Sequence, residues 1–255
     1  MSSTTIIDVN VSLGSWPFQR FDLKTPGQLQ RHLRREGIAA AWVSAIDSVL
    51  HGDPDVHDEL LYAKLLRHDR LHFVKTVHPL LGDWRRSLAR WVEEKRIRAV
   101  KIFPGYHGYG LGDKRVLEMM AQLRRHRLPL LIQMRLEDER GQHPLMKVAG
   151  VPCPEVVRLA KAFPAVPIVA LCAYLPEAGT LTKGSPNVHV DLSFMETLDT
   201  LKTALTDIPA GQILFGSHTP FLYTRSAVLK LAMANIPSPA VRTIAAGNAR
   251  RVLKG

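Results

Sequence analysis

Apolar residues along this chain gather into short, nearly continuous runs instead of alternating with polar ones. Such runs fall near Thr5–Asn10, Ala39–Ile46, Leu71–Val77, Arg98–Phe103, Pro129–Gln133, Pro167–Leu171, Val188–Asp191 and Gln212–Gly216, and they predict eight strands covered on both faces. Between them the apolar period lengthens to that of a helix, over Gln28–Glu36, Val56–His68, Asp83–Glu94, Lys114–Arg127, Pro154–Phe163, Glu196–Leu205 and Ala227–Ala234. A poorly patterned stretch lies around Pro176–Leu181, and a last helix over Pro239–Leu253 closes the chain. Strands each followed by a helix, at a repeat of roughly 20 to 40 residues, indicate a parallel sheet with helices on its outer side. The α/β architecture that fits best is a single (β/α)8 barrel over residues 1–255. An open doubly wound sheet is the runner-up, but its first strand-to-helix turn carries no GxGxxG, GxxxxGKS or GxxxxGKT sequence to cradle a phosphate.

Composition narrows the setting. The chain has 255 residues, 46% of them hydrophobic, enough to bury one substantial core. Cys153 and Cys172 are too few for a disulfide framework, and no apolar stretch approaches the roughly 20 residues of a membrane helix. Met1–Thr5 lack the charged and apolar regions of a leader, so a cytoplasmic protein with reduced thiols and no membrane partner is expected. The formal charge of +11 would attract anions. Its arginines, however, are scattered over runs such as Arg31–Arg35, Glu93–Arg96 and Arg124–Arg127, late in helical segments where cations complement the helix dipole. A solvated basic exterior is the simpler reading. No zinc-finger spacing, aromatic RNA-binding string or basic arm is present, and no nucleic-acid partner is expected. A homo-oligomer is expected, as for many barrels.

In such a barrel, chemistry comes from the carboxyl ends of the strands and the loops after them. The candidates there are Asn10 and Ser12, Asp47, His78, Lys101 with Tyr106 and His107, Gln133 and Arg135, Cys172 and Tyr174, Asp191 and Ser193, and His218. So many polar groups at buried positions are costly unless they serve a site. The first strand is organised around one of them. Simple alternation points Asp8, Asn10 and Ser12 the same way before Gly14 and Pro17 break the strand.

These residues resemble a family, the metal-dependent amidohydrolases of the second type. Ile7–Gly14 sits where that family has an apolar strand ending in Asp-x-His-x-His-x-Gly, and Val100–Pro104 is similar to its Val-Lys-Leu-x-Pro. Asn187–Ser193 is similar to its Asn-Val-Tyr-x-Asp-x-Ser, Phe215–Pro220 to its Phe-Gly-Ser-Asp-x-Pro, and Gly247–Arg251 to its Gly-Asn-Ala-x-Arg. The resemblance runs from end to end and implies a decarboxylase, lactonase or hydrolase barrel. It also implies a divalent metal held by two first-strand histidines, by histidines after strands five and six, and by an aspartate after strand eight. Here those places hold Asn10 and Ser12, Gln133, Cys172 or its neighbour, and His218. Zinc prefers imidazole, thiolate or carboxylate, so no catalytic metal or other cofactor is expected; the alternative is a zinc-type site rebuilt from His78, His107 and His218.

What remains is a pocket with altered chemistry. Lys101 reads as a base or as the anchor of a small anionic substrate, or else as half of an ion pair with Asp191 or Asp8. His218 reads as a general acid or base, or as a neutral pocket histidine. Asp191 completes the expected catalytic group. Asn10, Ser12, Gln133, Tyr106, Arg135 and Arg140 are expected to bind substrate, the arginines by bidentate contacts; the other reading of the loop from Gln133 to Pro144 is a solvated one with internal ion pairs. Cys172 reads as a small buried residue. The expected function is a hydrolase or carbon–carbon lyase acting on a small carboxylated, lactone or ester substrate. The alternative is a degenerate barrel that binds a small molecule or serves as a scaffold.

Overall fold

In the computed structural model, which describes residues 4–95 and 97–253, the apolar runs become parallel strands: β1 (Ile6–Leu13), β2 (Ile38–Ala45), β3 (Leu71–Phe73), β4 (Lys75–Thr76), β5 (Val100–Ile102), β6 (Leu130–Gln133), β7 (Ile168–Leu171), β8 (Val188–Asp191) and β9 (Ile213–Leu214). Met1–Ser3 of the stretch read for a leader, and Arg96 of the Glu93–Arg96 run, lie outside the described residues. Strand order follows chain order in two sheets, β1-β2-β3 and β4 through β9. The predicted third strand is split at Val74. Its N–H donates to Val43 on β2 at 2.9 Å, whereas the next N–H, of Lys75, donates to Ala99 before β5 at 3.2 Å, so one strand serves its two neighbours in turn. The ring closes where Val9 N–H donates to Phe215 O at 3.0 Å and Ser12 N–H to Thr219 O at 2.8 Å. The result is a (β/α)8 barrel.

Helices cover the outside: α1 (Pro26–Arg35), α2 (Pro54–Leu65), α3 (Trp84–Lys95), α4 (Pro104–His107), α5 (Lys114–His126), α6 (Cys153–Ala162), α7 (Leu175–Gly184), α8 (Thr200–Ala204), α9 (Thr224–Ala232), α10 (Ser238–Arg242) and α11 (Asn248–Leu253). Their ends follow from side chains. The Thr25 hydroxyl accepts the Gln28 N–H at 3.2 Å while Gln28 Oε1 accepts the Thr25 N–H at 3.0 Å, and Pro26 starts α1 with its fixed φ. Leu29 and Leu33, one turn apart, then bury fully against the strands, each contributing about 1.5 to 3 kcal/mol. The unpatterned stretch near Pro176 forms regular α7, started by Pro176 and by Glu177 accepting the Tyr174 N–H at 2.8 Å. The helix expected over Glu196–Leu205 contracts to α8, because Asp199 at φ +47° turns the chain the wrong way just before it. The closing helix arrives in two pieces, α10 and α11, joined by a π-helical turn over Thr243–Gly247. Among the described residues no helix is long and apolar enough to cross a membrane.

The strands carry two apolar layers. Val100, Ile102, Leu130, Ile132, Ile168 and Val190 pack outward with helix residues such as Leu33 and Leu123. Leu131, Val169, Leu171, Leu214 and Trp42 pack inside the barrel. β1 departs from alternation. Asp8 pairs with Ala41 and Val11 with Val43, so the residues between them, Val9 and Asn10, face Trp42 alone as a bulge. Val9 joins the inner layer while Val11 and Leu13 join the outer one. The expectation that Asp8, Asn10 and Ser12 share one face is therefore corrected: a one-residue insertion changes the face of everything on one side of it. Asp8 stays at the seam between β1 and β9, where its Oδ1 accepts the N–H groups of Asn10 and Ser217, both at 3.0 Å. A string of hydroxyls runs outward from that seam, from Ser217 to Thr219 (2.7 Å), Thr224 (2.6 Å) and the His32 imidazole (2.7 Å).

Candidate functional site

The bulge of β1 delivers Asn10 to the carboxyl end of the barrel interior. Its Nδ2 donates to Asp191 Oδ2 at 2.9 Å and to Cys172 Sγ at 3.2 Å. Asp191, the last residue of β8, also accepts the Cys172 N–H at 2.7 Å and the Ser193 hydroxyl at 2.8 Å. Gly216 makes room for this carboxylate, since a Cβ there would stand 2.3 Å from Asp191 Oδ2. Gln133, ending β6, donates from Nε2 to Arg135 O at 2.6 Å and to Cys172 Sγ at 3.0 Å, while its buried Oε1 has no partner. Lys101 in the middle of β5 donates to Ser44 Oγ at 3.2 Å, and Ser44 pairs with Ser12 Oγ at 3.1 Å. Two hydrogen-bonded groups result, Asn10–Asp191–Cys172–Gln133 and Ser12–Ser44–Lys101, near enough for Lys101 to feel Cys172 and Asp191, and Asn10, Ser12, Lys101, Gln133 and Asp191 are each no more than 3% exposed.

Burial sets the charges. The Lys101 amine is pushed down to about 8 by loss of water, with the Cys172 thiol and Asp191 carboxyl pulling it back. No carboxylate lies within ion-pairing distance of it among the described residues, so the expected ion pair with Asp191 or Asp8 is not formed. Burial raises Asp191 despite its three donors, and lifts Cys172 to about 12, which keeps that sulfur a thiol. Asp8 at the seam is lifted to about 7 by the same loss of water.

The mouth above this cluster is capped by aromatic rings. Trp16 meets Tyr106 and Phe221 edge-on at 5.7 Å, and Lys101 lies under Phe103 with its amine 5.1 Å from the ring centre. His218 belongs to the same cap. Its ring stacks on Phe221 at 4.8 Å, and Nε2–H donates to Leu136 O at 2.7 Å, which fixes the tautomer and leaves Nδ1 facing Asn10 Oδ1 at 3.5 Å. Burial drives its pKa down to about 3, so the imidazole is neutral at physiological pH. Beside the cap opens a cavity of about 610 Å³ lined by Asp138, Arg140, Tyr174, Phe194, Glu196 and Leu222.

The arginines expected to grip substrate are otherwise engaged. Arg135 is buried, forks onto Glu177 at 2.7 and 2.6 Å, donates to Cys172 O at 2.6 Å and lies over Tyr174. Arg140 borders the cavity but is held by Asp138 through two contacts of 2.8 Å. Internal ion pairs therefore win over substrate contacts in this loop. The rebuilt zinc-type site is likewise corrected. His78 and His107 stack on each other at 4.2 Å, His107 donates to Val49 O at 3.1 Å, and His218 lies in the other part of the mouth. Among the described residues no three His, Cys, Asp or Glu side chains gather to hold an ion. Sequence reasoning missed Ser44. It named Asp47 beyond the end of β2, whereas Asp47 serves the loop by accepting the Ser15 N–H at 3.3 Å. The one signal for Ser44 was a lone hydroxyl in the otherwise apolar Ile38–Ala45 run.

Residues 49–255 match the family model described as amidohydrolase. No curated protein matches the sequence. Among solved structures, the fold is similar to that of 5-carboxyvanillate decarboxylase from Sphingomonas paucimobilis, with a TM-score of 0.77 and 16% identity over 99% of both chains. It is also similar to 2,6-dihydroxybenzoate decarboxylase from Rhizobium, with a TM-score of 0.77 and 14% identity over 98% of this chain and 99% of that one. A dihydroxybenzoic acid decarboxylase from Polaromonas, with bound manganese and the inhibitor 2-nitroresorcinol, gives a TM-score of 0.77 and 14% identity over 98% and 97%. At such identities the likeness speaks for the fold.

Bound manganese in that neighbour overturns the expectation that this chain works with no metal or other cofactor. The groups here do not fit the ion. Manganese favours carboxylate, carbonyl and water oxygens; of these the corresponding places offer only the two carboxamide oxygens of Asn10 and Gln133, the rest being a hydroxyl, a protonated thiol and a histidine whose Nε2–H is committed to a carbonyl, with the Lys101 amine beside them.

Proposed function

The chain belongs to the amidohydrolase family, and from that premise we propose an enzyme, a carbon–carbon lyase or hydrolase, that receives a small carboxylated substrate at the mouth of its barrel. One observation carries the reading: the Lys101 amine is buried with a single hydroxyl at 3.2 Å as its partner. An ammonium has three donors, and a carboxylate answers two of them with short, charge-assisted bonds. The solved neighbours named as decarboxylases of small aromatic carboxylates support the substrate class.

In this reading Lys101 meets the carboxylate, Asp191 stays fixed by its three donors as the balancing charge, and Gln133 Oε1 and Asn10 accept polar hydrogens of the substrate. Neutral His218 presents Nδ1 as the acceptor for a proton, with its tautomer set by Leu136 O. Trp16, Tyr106 and Phe221 exclude water once the substrate is in, which strengthens each of these contacts. The test is a panel of small aromatic carboxylates and lactones, with release of CO2 or acid measured for the protein and for Lys101→Met. Turnover by the first that disappears in the second is the expected result. Binding without turnover points instead to a small-molecule binding protein, a reading favoured by how completely the polar cluster is sealed.

A further inference from the structure

Lys101 combines three features that an anchoring lysine does not need together. Its amine lies in the interior layer of the barrel, 1% exposed, with a neutral hydroxyl, Ser44, as its partner at 3.2 Å. The Asp191 carboxylate is held nearby by Asn10, Ser193 and the Cys172 N–H, close enough to act on the amine through space but turned toward other donors. Apolar rings, Phe103 first among them, cover it from the mouth. The ammonium form draws a carboxylate in, and the unprotonated form of the same amine is left free for a second role once the substrate has arrived. A desolvated amine, beside a carboxylate that can balance a fixed positive nitrogen and under an apolar cover, is the arrangement of a nitrogen nucleophile aimed at a carbonyl carbon.

We infer that Lys101 is such a nucleophile, whose amine condenses with the oxo group of a small 3-oxocarboxylic acid so that the acid loses CO2. The inference rests on the proposed reading of the site as one for small carboxylated substrates, and it names the substrate class. The unprotonated nitrogen forms a C–N bond to the oxo carbon, whose oxygen takes up one proton from the attacking amine and one from solvent and leaves as water. The product is an iminium, and Asp191 faces its positive charge. The bond between the α carbon and the carboxylate then breaks. Its electron pair moves into a new carbon–carbon double bond, the iminium becomes a neutral enamine, and CO2 departs. The apolar cover favours this step, because a carboxylate deprived of water is raised in energy relative to the transition state that disperses its charge. Protonation of the enamine carbon restores the iminium. Water adds to it, the C–N bond breaks, and a ketone and the free amine are released; no oxidant or reductant is consumed. Burial supports the scheme by holding the amine near 8, so that an unprotonated fraction exists at neutral pH.

Trapping tests it. The full chain is incubated with acetoacetate and sodium cyanoborohydride, which reduces an iminium to a stable amine, and the protein is weighed intact and after peptide mapping. The expected result is one adduct per chain on the peptide holding Lys101, absent from Lys101→Met and from Lys101→Arg, with each variant's fold checked by circular dichroism. Wild-type protein that gains no adduct at Lys101 overturns the inference whatever the variants do, and so does labelling that is spread over exposed lysines and persists in Lys101→Met. Turnover of an aromatic carboxylate without trapping refutes the covalent role alone. Trapping on Lys101 without turnover of any carboxylate supports the covalent role and refutes the proposed function.

Discussion

Lys101 carries a charge that its neighbours answer only in part, and its behaviour with pH follows. A substrate carboxylate is held by the ammonium form, so affinity for small carboxylates is full at neutral pH and falls as pH rises through about 8. Calorimetric titration of the protein with such an acid should show this loss, and Lys101→Met should weaken binding at neutral pH by roughly 10- to 100-fold, the worth of one or two charge-assisted bonds. Asp8 gives the opposite kind of signal. Its carboxyl is raised by burial from the ordinary 3.8 to about 7, so between those values the folded protein holds a proton that the unfolded chain has given up. Its contribution to stability is therefore full at the acid end of that window and is lost as pH rises through about 7. In Asp8→Asn, whose amide oxygen still accepts the two N–H groups, urea midpoints at about pH 5 and about pH 8 should lie closer together than in the wild type. An unchanged gap would assign the pH dependence elsewhere. Lys101, Asn10, Gln133 and Asp191 were legible in the sequence, because each ends or precedes the end of an apolar strand and has no apolar reason to be there. The fates of Arg135 and Arg140 were not, since the partner of Arg135, Glu177, lies 42 residues away on a helix whose pattern was weak.

The elements were legible where the two sides of a strand are alike. Strands buried on both faces read as unbroken apolar runs, and each predicted run holds a strand. What the runs do not encode is which neighbour a strand pairs with, so the exchange of partners at Val74 left no mark, nor did the bulge that places Val9 and Asn10 on one side. Helices without an apolar stripe depended on their caps instead. α7 is the case in point: Arg135, two residues past the end of β6, grips Glu177 in its first turn, while Glu177 caps the Tyr174 N–H, so one ion pair ties the exit of a strand to the start of a helix three elements on. Arg135→Met should leave Glu177 without its charge partner and cost about 2 kcal/mol, less than a fully buried pair because Glu177 keeps some contact with water. Chemical denaturation measures it, and a loss below about 0.5 kcal/mol would show that α7 is held by its apolar face alone.

At the scale of the molecule, the 34 basic and 23 acidic residues, apart from buried members such as Lys75, Lys101, Arg135, Asp8, Asp58 and Asp191, dress an exterior whose charge is spread over several helices, while the interior cluster stays closed beneath its rings. The closure of the ring is uneven. β1 runs alongside β2 through six paired positions, but among the described residues its other edge is held by two backbone hydrogen bonds, at Val9 and Ser12, and by the side chain of Asp8. Amide exchange should reflect this. Val9 and Ser12 should exchange sooner than Leu131 and Ile132 in the middle of the β5–β6–β7 ladder, and equal protection would mean that the ring opens everywhere at once. A split washer bends at its gap and nowhere else. If the barrel yields in the same way, spreading by a fraction of a strand width between β9 and β1, Asn10 and Ser12 part from His218, and the closing helix α11 with the turn before it, which pack on both strands, are the elements that must give. The mouth beneath its rings then widens from one side, and the clasp that completes the cylinder is also its hinge.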